Sequence, residues 1–193
     1  MKFYSHKFFF LLFSLNFLSF YLFISCGEPN SRKDKGQDLI ETKRLNEQKV
    51  WEASSELFRK ITKSSQGLIR GVNLGQNIKE INEDADLSEV QPNQGRSYTQ
   101  YLDDSDVNFV DITYLTNSDG KILQITLDIF LDEREEVGEL MLELRSYFDV
   151  KLGKSQSNNN KTQWLENKNT QVVLENVSSS KDPGIKILFS RNL

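Results

Sequence analysis

Between residues 121 and 131, Leu123, Ile125, Leu127, Ile129 and Leu131 share one parity, while Gln124, Thr126 and Asp128 occupy the other. No helix can use that period, because a turn of 3.6 residues would scatter the five apolar side chains around its circumference. A strand with one face on a core and the other toward water satisfies it, and antiparallel sheets produce such strands. Asn117-Ser118-Asp119-Gly120 precedes the segment, and Asp-Gly is a strong hairpin signal. Residues 107–116, with Val110, Ile112 and Tyr114 in alternation, are therefore the expected partner. Weaker strand patterns cover 96–103, 162–167 with Trp164, 170–177 with Val173 and Val177, and 184–190 with Ile185, Ile187 and Phe189. Asp182-Pro183-Gly184 reads as the turn before the last of them.

Helical periods lie between the strands. Residues 38–64 repeat Val50, Trp51, Leu57, Phe58 and Ile61 at helical spacing, with Asp38 as N-cap and Glu41 completing a capping box. The simplest placement of this amphipathic helix is on the domain's own core. Residues 76–84 form a shorter helical piece around Ile78 and Ile81, and 86–95, with Pro92, a loop. Asp132, with Glu135, caps another helix, whose stripe is Val137, Leu140, Met141, Leu144 and Phe148 and whose stop is Gly153. The polar run 154–161 separates it from the last strands. Helices without βαβ crossovers predict an α+β fold, an antiparallel sheet packed by helices. The layout is an amphipathic helix followed by two helix–β–β–β units, alike in order and not in residue identity. The expected boundaries are 38–66 for the first helix and 67–193 for the α+β domain.

The N-terminus has a different character. Lys2, His6 and Lys7 precede 18 uncharged residues, Phe8 to Ser25, and Leu22-Phe23-Ile24-Ser25-Cys26 closes the run. A basic start, an apolar stretch and a small residue make a secretory signal, here residues 1–25. The Ser25-Cys26 ending resembles the lipobox of bacterial lipoproteins, although Phe23 stands where Leu is usual. That resemblance implies cleavage before Cys26, diacylglycerol on its thiol and acylation of the new amino group. The alternative is an uncleaved membrane helix, for which 18 residues is short. Two or three acyl chains anchor stably at about 0.8 kcal/mol per buried methylene. Residues 26–37 then form a lipid-anchored flexible linker of roughly 15–20 Å r.m.s. span. Glu28 is the sole acid close behind Cys26, which favours a periplasm-facing protein, at the outer membrane, over a cell-surface one. The segment 70–131, with GVNLGQNIKEI before a meander, is similar in layout to BamE-like and β-lactamase-inhibitor-like envelope modules. No functional residue carries over from them.

Splitting the chain at residue 25 narrows the chemistry. The only His lies in the first 25 residues, with Lys2, Lys7 and no acid; of 24 basic and 28 acidic residues, 22 and 28 remain, a net charge of −6. Without His, neither a Ser-His-Asp nor a Cys-His site is available. One Cys makes neither an internal disulfide nor the usual zinc site. The acidic balance speaks against a nucleic-acid partner. Asp103-Asp104-Ser105-Asp106 offers oxygens for a weak Ca²⁺ site but lacks an EF-hand frame, so a solvated turn is the simpler reading. Tyr98 and Tyr101, with Arg96, are candidates to stack on a sugar or peptide, or to pair across strands. Trp51 and Trp164 are the expected buried anchors.

Cys26, as a lipidation site, is thus the single functional residue the sequence nominates; no catalytic, cofactor or metal residue is expected. The favoured function is non-enzymatic: membrane attachment through acylated Cys26 and binding to another envelope protein or support of an assembly. A periplasmic module binding a small apolar or glycan ligand between sheet and helices is the alternative. A carboxylate-dependent cell-wall hydrolase comes third; it needs paired acids, one with a raised pKa.

Overall fold

The computed structural model describes residues 35–81, 88–89, 94–166 and 169–191. Cys26, the expected signal 1–25 and the expected linker up to residue 34 lie outside the described residues. Leu39–Leu193 forms one compact unit.

The helices are α1 (Lys35–Ala53), α2 (Glu56–Thr62) and α3 (Arg134–Leu152). The strands are β1 (Ser88–Glu89), β2 (Gly95–Tyr101), β3 (Phe109–Thr116), β4 (Ile122–Phe130), β5 (Gln156–Asn158), β6 (Lys161–Glu166), β7 (Thr170–Asn176) and β8 (Gly184–Arg191). They form one antiparallel sheet in the order β1-β2-β3-β4-β8-β7-β6-β5. The architecture is α+β. The order reads symmetrically from both ends about the β4–β8 seam, with Leu127 opposite Ile187 at its centre. Each half is a helix and then a meander, so the repeated layout exists at the level of topology. Its first helix is α2, however, and not the expected helix 76–84. There the described residues hold a single 3₁₀ turn, Ile78–Glu80, whose Asn77 side chain accepts from the Lys79 N–H.

One face of the sheet is closed. Val110, Ile112, Tyr114, Ile125, Leu127, Ile129, Val172, Leu174, Ile185, Ile187 and Phe189 have no solvent exposure. α3 packs on β6, β7 and β8 through Leu144 and Phe148. α2 buries Phe58 and Ile61, with Phe58 edge-on to Tyr147 of α3 at 5.3 Å, and its Lys60 ammonium donates to the Leu102 carbonyl of the first meander at 3.1 Å. Buried Arg70 joins these parts, donating to the Ile61 carbonyl and, at 2.8 Å, to Gln100 Oε1, with its guanidinium over the Tyr98 ring. Trp164 is buried as expected and donates to Asp149 Oδ1 at 2.8 Å; Trp51 is half-buried and donates to Thr62 Oγ1 at 2.8 Å.

Several boundaries differ from expectation. The helix 38–64 is two helices, because Ser55 interrupts it as N-cap of α2, accepting from the Phe58 N–H while donating to Glu143 of α3. α1 begins at Lys35, so Asp38 lies inside its first turn, not at its cap. α3 begins at Arg134, after Glu133, and the Asp132 N–H donates instead to Asn108 Oδ1 at 2.8 Å. Leu123 leaves the alternation: the β3–β4 register slips between Leu115 and Thr116, so Ile122 takes the core position and Leu123 is only half-buried. In β7 the core takes Val172 and Leu174, not Val173 and Val177, since Glu175 shares the parity of the latter pair and faces Lys186 and Lys161. Two short edge strands, β1 and β5, replace parts of the polar stretches 86–95 and 154–161. The turn 117–120 forms as expected: Asn117 Oδ1 accepts from the Asp119 and Lys121 N–H groups, and Gly120 takes φ 72°, a conformation that favours glycine.

Candidate functional site: the open sheet face

Because side chains alternate across a strand, closing one face leaves the opposite parity of all the strands on the other. Among the described residues no helix covers that second face. Four cross-strand rows run across it, the last of them Leu115, Gln124, Ser190, Gln171 and Leu165. The first is aromatic: Tyr101 pairs with Phe109 and Phe109 with Phe130, with ring centroids 6.3 Å and 4.7 Å apart. The row ends at Gly184, where a Cβ would stand 3.9 Å from Phe130 Cδ1. Tyr101 is 57 % exposed; Phe109 and Phe130 are half-buried.

The second row is charged and runs Asp111, Asp128, Lys186, Glu175, Lys161 across five strands. Lys186 pairs with Asp128 at 3.1 Å and Lys161 with Glu175 at 3.2 Å. Such partly exposed pairs contribute little stability each; their value is a fixed pattern of both signs. The Thr99 hydroxyl donates to Asp111 and fixes its carboxylate. The third row, Thr113, Thr126, Leu188, Val173 and Gln163, is short-chained and mildly apolar. The surface is therefore an aromatic strip, a charge ladder and a low apolar strip side by side.

The stacking trio does not assemble. Tyr98 is buried on the core side, 6.5 Å from Tyr114, whereas Tyr101 points to the open face. Arg96 shares the parity of Tyr98 and is half-buried. The acidic loop is its own ligand: Asp103 accepts from the Ser105 N–H at 2.8 Å, from the Ser105 hydroxyl and from Asn108 Nδ2. Those bonds, Ser105 first, hold its carboxyl below the usual range. Glu56 is likewise held low, by the hydrogen bond and charge of Lys60 at 3.0 Å. Both shifts run opposite to what a general acid requires. Among the described residues no three His, Cys, Asp or Glu side chains group as metal ligands, and no helix is long and apolar enough to cross a membrane.

No protein-family model, curated protein or solved structure matches this chain. The site therefore has to be read from its own chemistry. The open face presents aromatic area at a low entropy cost on rigid strands, beside paired charges of both signs. Single residues gave no sign of it. The signal available in the sequence was the set of apolar residues of the wrong parity within the strands, among them Tyr101, Phe109, Phe130, Leu188 and Leu165.

Proposed function

We propose that the protein is a lipid-anchored bacterial envelope protein, attached through acylated Cys26, that binds another protein or supports an envelope assembly without catalysing a reaction. The open sheet face carries this reading. Tyr and Phe on rigid strands are typical anchors of protein interfaces, and a charge ladder of both signs suits a protein surface of mixed sign better than a polyanion. The closed inner face adds support: core side chains with no accessible area touch no water-sized void, so a ligand held between sheet and helices has no room there. The anchor rests on the sequence of residues 1–26.

Two measurements test the parts separately. Cys26→Ala is expected to abolish labelling of the protein by a fatty-acid analogue in growing cells; persistent labelling would overturn the anchor. Tyr101→Ser is expected to leave stability within about 0.5 kcal/mol, as exposed substitutions do. It should lower recovery of the partner after cross-linking in intact cells by about tenfold or more. Unchanged recovery would remove the open face as the binding surface.

A further inference from the structure

Beneath α1 lies a polar cleft of about 650 Å³, lined among others by Lys43, Arg44, Glu47, Ser65, Gln66 and Asn73. α1 forms one wall. The other is the loop 64–73, and it is stiff. Gly67 sits at φ 65°, where a Cβ would stand 2.5 Å from the Gly71 carbonyl carbon, and Leu68, Ile69 and Val72 are rooted in the core. A recess of about 170 Å³ shares Lys43, Glu47, Gly67 and Asn73 with the cleft and reaches Lys151.

The charges of this cleft do not balance. Glu47 is its only lining acid, and it is committed to Lys151 at 3.3 Å. Lys151 is 6 % exposed, a charged side chain at the base of the recess, and also donates to the Ser65 carbonyl at 2.7 Å and the Tyr147 hydroxyl at 2.9 Å. Burial, with the Glu47 charge behind it, pushes the Tyr147 phenol well above its ordinary range, so it adds no negative charge. The side chains of Lys43 and Arg44 have no ion pair among the described residues. Three cations therefore face one carboxylate in a concavity that also offers hydroxyl and amide groups.

We propose that this cleft binds a phosphate-type oxyanion, with Arg44 and Lys43 as its charged donors, Ser65 and Asn73 as neutral ones, and Lys151 as the buried positive charge behind them. Arginine suits such a group because its planar fork can donate two hydrogen bonds at once. A free phosphate and the phosphate of an anionic lipid headgroup present the same chemistry. Only the headgroup source leans on the lipid-anchored reading; oxyanion binding itself stands without it.

The full chain in detergent is titrated with inorganic phosphate by calorimetry at low salt. In parallel it is floated with phosphatidylglycerol or phosphatidylcholine vesicles. The double variant Lys43→Gln/Arg44→Gln keeps good helix formers in α1; Lys181→Gln, on an exposed loop, is the control. Phosphate binding weakened about tenfold or more in the double variant and unchanged in the control is the expected result, since each charge-assisted bond is among the stronger ones. A preference for phosphatidylglycerol lost in the double variant, without phosphate uptake, assigns the site to a headgroup. Neither phosphate uptake nor a vesicle preference in the native chain, or binding unchanged in the double variant, overturns the proposal.

Discussion

Phe148→Ala is expected to lower the unfolding free energy by about 3–5 kcal/mol, the cost of removing a large core aromatic. Phe148 has no exposure, and its ring meets those of Tyr147, Trp164 and Phe189 at 5.3, 5.5 and 5.7 Å. It thus ties α3 to β6 and β8 at once. Truncation forfeits the burial of the ring and leaves a cavity that three rigid aromatics cannot fill. The loss should appear as a lower urea midpoint with an unchanged slope. Leu142→Ala, on the same helix but 69 % exposed, is the matched control and should move the midpoint little. A loss below about 1 kcal/mol for Phe148→Ala would mean that α3 is not the lid of this core.

Lys151→Met should cost about 3 kcal/mol, the lower end of the range for removing one partner of a buried pair, because the Glu47 side chain retains 13 % exposure and can turn toward water. The substitution leaves the Ser65 carbonyl without its 2.7 Å donor and Tyr147 without its 2.9 Å one. It also strands the Glu47 carboxylate against an apolar neighbour. Adding Glu47→Gln should recover part of the loss, since the stranded charge goes; a double-mutant cycle in urea gives the coupling. α1 meets the body mainly along Glu47, Val50 and Trp51, so its amide hydrogens should exchange faster in Lys151→Met. A cycle with no coupling would mean that the pair does not hold α1 in place.

The strands were legible because their physics is local. Alternation and an Asp-Gly turn specify β3 and β4 within a single window, and Ile185, Ile187 and Phe189 do the same for β8. What escaped was set by distant residues. The break at Ser55 depends on Glu143, 88 positions away. The slip that exchanges Ile122 for Leu123 depends on β3. β7 carries Val172, Val173 and Leu174 in succession, so its own pattern leaves the choice of face to the charges of its neighbours. Arg70 and Lys151 follow the same logic. A charged residue reads as exposed in any local pattern, and only carbonyls brought from other segments make its burial tolerable. The open face was hidden for a related reason: apolar residues of the wrong parity are scattered thinly along each strand, and only the sheet order sets Tyr101, Phe109 and Phe130 side by side.

Binding through the open face is tested most directly by a photo-reactive phenylalanine analogue placed singly at Tyr101 or at Leu142 and irradiated in intact cells. Both positions are exposed, at 57 % and 69 %, one on the open face and the other on α3. The account predicts a discrete cross-linked adduct with a second protein from position 101 and none from position 142. No adduct from 101, or the same adduct from both, would contradict it.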